Sequence, residues 1–129
     1  MEYLALSIMY PAVQHILSGY KKIEIRSWVP SNSLPIKDLI LVENNNYLND
    51  GDIDINGSAV AMVDIVSYKK LSLSDFNKLE ETSTLNKKWR SDYYSWEIAN
   101  VRSILPTPCI AMRDIYSIQI NINNLTPIY

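Results

Sequence analysis

The sequence predicts an α+β chain, a small and mainly antiparallel β barrel with two or more short helices. Three observations lead there: apolar or alternating runs of strand length recur along the chain, Gly, Pro and Asn clusters punctuate them, and only two windows place apolar residues at helical spacing. At 129 residues and 14.8 kDa the chain matches a single domain over 1–129. Size scaling gives it a folded surface of roughly 7,000 Å² against roughly 21,000 Å² unfolded, so a real core is expected.

Residues 3–8 are short and apolar and read as the first strand. Pro11 suits a helix start, Val13, Ile16 and Leu17 follow at helical spacing, and Gly19 supplies a left-handed stop. Residues 21–28 then change period, with Ile23 and Ile25 on one side of a strand and Lys22, Glu24, Arg26 and Trp28 on the other. A loop rich in Pro and Ser leads to an apolar strand at 39–42, and an Asn-rich turn runs to Gly51. Residues 58–66 are apolar on both faces apart from Asp64, as a central strand requires. Ser72 with Asp75 three positions on predicts a capped helix whose buried stripe is Leu73, Phe76 and Leu79. Residues 82–92 are polar and basic, with no assigned element. One strand or two short ones cover 94–104 and stop before Pro106 and Pro108, and an alternating strand covers 116–122.

Charge and composition narrow the function. Twelve Lys and Arg against fourteen Asp and Glu give a net charge of −2, which argues against a surface that coats DNA nonspecifically. The charge is uneven: residues 65–105 hold seven bases against five acids, so a local basic groove is compatible with the acidic total. No apolar run approaches the ~18 residues of a membrane span, and no membrane partner is expected. A single cysteine, Cys109, and no signal-peptide pattern at the start predict a cytoplasmic location.

Most standard catalytic patterns are missing. The only histidine, His15, has no cysteine or aspartate at ligand spacing, and the three glycines form no phosphate-binding loop, so neither a metal nor a cofactor is expected. Asp50, Asp52 and Asp54 resemble the start of a calcium loop, but Ala61 stands where its closing glutamate belongs, and a solvated turn is the better reading.

The residues that carry chemistry lie in two clusters. In the first, Lys21 offers an ammonium, Arg26 a planar fork for phosphate or a base edge, Glu24 a carboxylate between Lys22 and Arg26, and Trp28 a stacking face. A surface salt bridge and a barrel-capping Trp28 are the alternative for the same residues. In the second cluster Tyr93, Tyr94 and Trp96 follow Trp89 and Arg90; the rings serve either base stacking or core packing, and Trp96 fits both. Glu97 suits hydrogen bonding to a nucleobase amino group, or proton transfer if the protein is an enzyme. Lys69, Lys70, Lys87 and Lys88 read individually as solvated, while one such pair beside the cleft would help hold phosphates.

The run Leu6, Ser7, Ile8, Tyr10, Pro11, Ile16, Gly19, Lys21, Ile23, Glu24, Ile25, Arg26, Ser27 and Trp28 resembles the signature of the ASCH family, whose fold belongs to the PUA-like group of small β barrels. Residues 57–71, together with Trp96, Glu97, Val101, Arg102 and Pro106, resemble later parts of that pattern in the right order. The resemblance implies binding of RNA or a modified nucleotide in a cleft beside the first helix, with Tyr10, Lys21, Glu24, Arg26, Ser27, Trp28 and Trp96 as ligand-binding residues. One branch of the family consists of amidohydrolases that deacylate modified cytidine with a lysine, a threonine and a glutamate. Here Lys21 matches the lysine, but Glu24 occupies the threonine position, and residues 108–113 lack the glycine that often follows the late proline. The leading expectation is therefore a binding module for single-stranded RNA or a nucleotide or nucleoside. The alternatives are a nucleoside amidohydrolase or ribonuclease using Lys21 with Glu24 or Glu97, and a protein-interaction domain anchored by exposed aromatics.

Overall fold

The computed structural model describes residues 1–122 and 124–128. In chain order it contains β1 (Glu2–Met9), α1 (Ala12–Leu17), β2 (Ile23–Arg26), β3 (Ile36–Asn44), β4 (Ile53–Asp54), β5 (Ser58–Lys70), α2 (Leu73–Asn77), α3 (Glu81–Thr84), β6 (Tyr94–Pro108), β7 (Ala111–Met112), β8 (Ile115–Gln119) and β9 (Leu125–Pro127). The main sheet has the order β2-β6-β5-β3-β1-β8, with β9 also paired to β6, while β4 and β7 form a small second sheet. Among the described residues only the β1 and β3 pair is parallel, and every other ladder is antiparallel. The chain is thus α+β, built on a large and mostly antiparallel sheet. Its order ends at β2 and β8, and no ladder joins those two strands among the described residues.

Strand alternation feeds two cores. Leu6, Leu39, Leu41 and Val63 point to one face, where they pack with Ala12, Val13 and Ile16 of α1 and with Trp96. Ala5, Ile40, Val42 and Met62, their neighbours in sequence, point to the other face and pack with Ile104, Ala111 and Ile120. The middle of β3, residues 39–42, and of β5, residues 59–63, is buried on both sides, which is why these stretches read as continuous hydrophobic runs. The accessible surface, 7,377 Å², agrees with the value expected from chain length.

Several local readings are corrected. Pro11 sits at the N-cap, one position before α1, while Gly19 closes the helix at φ +82° as the stop signal required. The Ser72 hydroxyl accepts from the Asp75 N–H at 3.0 Å, forming the cap that starts α2. The stripe it was to serve is not buried: Leu73 is half exposed, and Phe76 and Leu79 only flank a small cluster of Ile25, Leu71 and Tyr93. Residues 82–92 contribute to α3 and the turn after it. Strand β6 continues through Pro106 and Pro108 because Pro106 falls at an irregularity of the β5 ladder, beyond the last residue that β9 pairs, so its missing N–H breaks no rung.

Asp64, the polar exception in β5, is buried and fully partnered. It accepts from Arg102 at 2.7 Å, from Asn100 at 2.7 Å and from the Asp38 N–H at 3.0 Å. Burial opposes its charge, but these donors prevail and hold its carboxyl below the usual range. The acidic turn is also more structured than a solvated one: Asp54 is buried and accepts from the Asn46 amide at 3.1 Å and the Asn56 N–H at 2.9 Å.

Candidate functional site

The site begins where α1 ends. Because Gly19 turns the chain sharply, the N–H groups of Tyr20 and Lys21 both donate to the His15 carbonyl, and Lys21 is directed inward. It is buried, 1% exposed. Its Nζ donates to the Ser83 carbonyl of α3 at 2.8 Å and stands 3.5 Å from Glu24 Oε1. Glu24, at the centre of β2, is equally enclosed; Oε1 accepts from the Ile25 N–H at 3.1 Å, and Oε2 accepts from Arg26 at 3.4 Å. Arg26 also donates to the Ser7 carbonyl of β1 at 3.1 Å. A continuous polar chain therefore links α3, β2 and β1.

This geometry revises the half-polar strand predicted for 21–28. Glu24 and Lys21 are an internal ion pair rather than surface charges, and Lys21 is not a free phosphate donor. Burial works against the Glu24 charge, but Lys21, Arg26 and Lys87 together with the Ile25 N–H outweigh it and hold the carboxyl below the usual range. An ionised Glu24 is a poor proton donor near neutral pH and a good anchor for Arg26. Lys87, on the turn after α3, is pushed down from the ordinary lysine value by partial desolvation and by Arg26, Lys21 and Arg90 around it, with Glu24 acting in the opposite sense.

Around this chain lies a cleft of about 460 Å³, between β2 on one side and the β7–β8 turn on the other, where the strand order of the main sheet ends. Of the residues expected there, Tyr10, Lys21, Glu24, Arg26, Ser27 and Trp28 line it. Trp96 does not: it is completely buried, its ring meets Trp28 edge-on at 4.9 Å, and its Nε1 donates to the Trp28 carbonyl at 3.3 Å. Its choice between core and cleft is settled in favour of the core, from which it braces Trp28. Glu97 is also outside, exposed on β6 with Ser67 Oγ donating to it at 3.4 Å. The second aromatic cluster splits likewise. Tyr93 lines the cleft, with Lys87 and Arg90 5.8 Å and 5.7 Å from its ring centre, while Tyr94 packs beside Tyr68 and under Lys70.

Among the polar residues of the cleft, Ser7, Asn44, Asn46, Tyr47, Arg113 and Asp114 had no functional reading in the sequence. Tyr47 lies in the Asn-rich turn and Arg113 beside the tight turn before β8, and the only signal available was that turns carry function more often than strands do. Lys87, of the lysine pairs that would help hold phosphates if beside the cleft, and Arg90, of the second aromatic and basic cluster, both line it, in the segment that follows α3. The Ser7 hydroxyl bonds the Tyr116 hydroxyl at 2.8 Å and accepts from the Met112 N–H at 3.1 Å, which ties β1 to the loop carrying Arg113. Among the described residues no group of three His, Cys, Asp or Glu side chains is placed to hold a metal ion.

The molecule is an α+β domain with a large, mostly antiparallel sheet, short helices and a cleft lined by basic and aromatic residues beside its first helix. The chain belongs to the ASCH domain family, whose model matches residues 6–108. Membership associates it with binding of nucleic acid or a related ligand through basic and aromatic residues. None of the curated proteins matches the chain.

Proposed function

We propose that the protein binds a nucleotide or a short single-stranded RNA segment in the cleft between β2 and the β7–β8 turn. One observation carries this reading: the cleft gathers Arg26, Lys87, Arg90 and Arg113 around the buried Lys21–Glu24 pair, with Arg90 and Arg113 paired to Asp92 and Asp50 and with Asp114 beside them, in a chain whose net charge is −2. Concentrating positive charge in one concave place serves an anionic ligand of limited size. Arg26, with its guanidinium oriented by Glu24 and Ser7, and Lys87 take phosphate oxygens; Tyr10, Tyr47 and Trp28 offer faces for a base. The β-barrel description is part of the same proposal, with β2 and β8 as the edges that flank the ligand.

The test is a titration of nucleoside monophosphates and short RNA at fixed salt. R26A with K87A is expected to weaken binding at least about tenfold, which is about 1.4 kcal/mol. K69A with K70A, at the far end of β5, is expected to change it less than about twofold, since surface charges away from the ligand contribute little. Equal losses from both pairs would show diffuse binding and sink the assignment. Turnover of N4-acetylcytidine by the wild-type chain, abolished in E24Q, would replace binding with hydrolysis. Absence of both binding and turnover would favour a protein partner.

A further inference from the structure

The two-stranded sheet of β4 and β7 inverts the usual strand pattern. Asp54 and Ala111, paired across it, are buried, while Ile53 and Met112, the neighbouring pair, are 56% and 39% exposed. A charged residue faces in, and large apolar ones face out. The enclosed carboxylate is satisfied by the Asn46 amide and the Asn56 N–H, so the buried side fixes the register and leaves the outer face apolar. Ile55 and Ile110, the next residues along the two chains, extend that face at 70% and 45% exposure. Single exposed apolar residues are ordinary, but four at neighbouring positions with a buried carboxylate behind them mark an interaction surface.

The rim gives the charge of what covers it. Between Lys37 and Lys69 the sequence has no Lys or Arg, whereas Asp50 and Asp52 stand exposed on the turn into β4. Arg113 pairs with Asp50 at 3.1 Å, but Asp114 follows it, and the surroundings stay net negative. A second copy of the chain across a two-fold axis would set these acids against one another. Four part-exposed side chains also cover far less than the ~800 Å² that each partner of a stable complex buries. We propose that this face docks a short segment of a partner protein in which apolar side chains are flanked by Lys or Arg. Its apolar side chains cover Ile53, Ile55, Ile110 and Met112, and its cations meet Asp50 and Asp52. Met112 also lines the cleft, so the segment lies along the cleft's edge. The inference does not depend on what the cleft binds.

Short randomised peptides displayed on phage are selected on the wild-type protein and counter-selected on I53N I55N. Both positions are exposed and outside the cleft, and a thermal melt checks that the variant keeps its fold. The expected survivors combine apolar residues with Lys or Arg. A synthetic peptide of that consensus, titrated in solution, should bind I53N I55N at least about tenfold more weakly than the wild type. In D50N D52N each Asn keeps an acceptor oxygen for Arg113 or the Asn49 N–H, yet loss of the two charges should weaken the peptide by about threefold or more. Exchanging the peptide's Lys and Arg for Glu should abolish binding. Survivors without basic residues, no survivors beyond those that I53N I55N retains, or an affinity indifferent to either variant overturns the proposal. Self-association of the wild type that is lost in I53N I55N also overturns it, by making the occupant a second copy.

Discussion

Glu24 keeps its charge inside the protein because Lys21, Arg26 and Lys87 surround it and the Ile25 N–H donates to it. Removing one partner of such a group leaves the others uncompensated, so E24Q is expected to lower stability by about 3 kcal/mol in chemical denaturation. The pH dependence follows from the sign of the shift. A carboxyl whose folded pKa lies below its ordinary 4.5 contributes stability that is complete above that value and lost as pH falls through the folded pKa. In E24Q the acid limb of a stability profile should flatten; Asp64, shifted in the same direction, leaves part of the limb in place. Lys87 behaves oppositely, since its folded pKa lies below the ordinary 10.5 and a bound phosphate favours its protonated form. Nucleotide affinity should therefore begin to fall at a lower alkaline pH than an ordinary lysine would give, and K87R, which does not titrate there, should remove that limb.

At the scale of elements, the cleft depends on how α3 and the β7 region are held. The Lys21 ammonium to the Ser83 carbonyl, and the Thr82 hydroxyl to the Tyr20 carbonyl at 3.1 Å, fasten α3 to the turn after α1 and so place Lys87. On the other side Gly57, at the entry to β5, lies against the chain that leads to β7. A Cβ there would stand 2.5 Å from the Cys109 carbonyl oxygen and 3.0 Å from Val42 Cγ1, contacts that force backbone to move. G57A is expected to cost about 1–3 kcal/mol in stability, and through the displaced loop to weaken ligand binding at Arg113. Stability from denaturation and affinity from titration should both fall, whereas S72A at α2, a helix with no buried residue, should fray that helix alone, as amide exchange would show.

For the whole molecule, the proposed reading expects the acidic total to confine binding to the cleft. With ~1–3 phosphates neutralised, the logarithm of affinity should fall with the logarithm of salt at a slope of about −0.7 to −2, and lengthening the RNA beyond the cleft should not steepen it. A slope steepening with every added nucleotide would mean that the strand runs across a wider surface. The sheet itself supports a preformed site: its apolar faces fix β1, β3 and β5, and the cleft opens where the strand order ends at β2 and β8.

What the sequence determined by itself is the local grammar and the family. The apolar runs of β1, β3 and β5, the Gly19 stop and the Ser72 cap depend on near neighbours, so periodicity and capping chemistry revealed them. The cluster from Lys21 to Trp28 was legible for the same reason, as one short stretch around a helix end. Only the tertiary structure decided which of those side chains face inward. Lys21 and Glu24 are buried because α3, 62 residues later, supplies the Ser83 carbonyl, and a strand's alternation cannot announce a partner that distant. Trp96 joined the core and Glu97 the solvent side through the pairing of β6 with β2 and β5. Lys87, Arg90 and Arg113 reached the cleft from loops whose positions are set by long-range contacts, which leave no periodic trace in the chain.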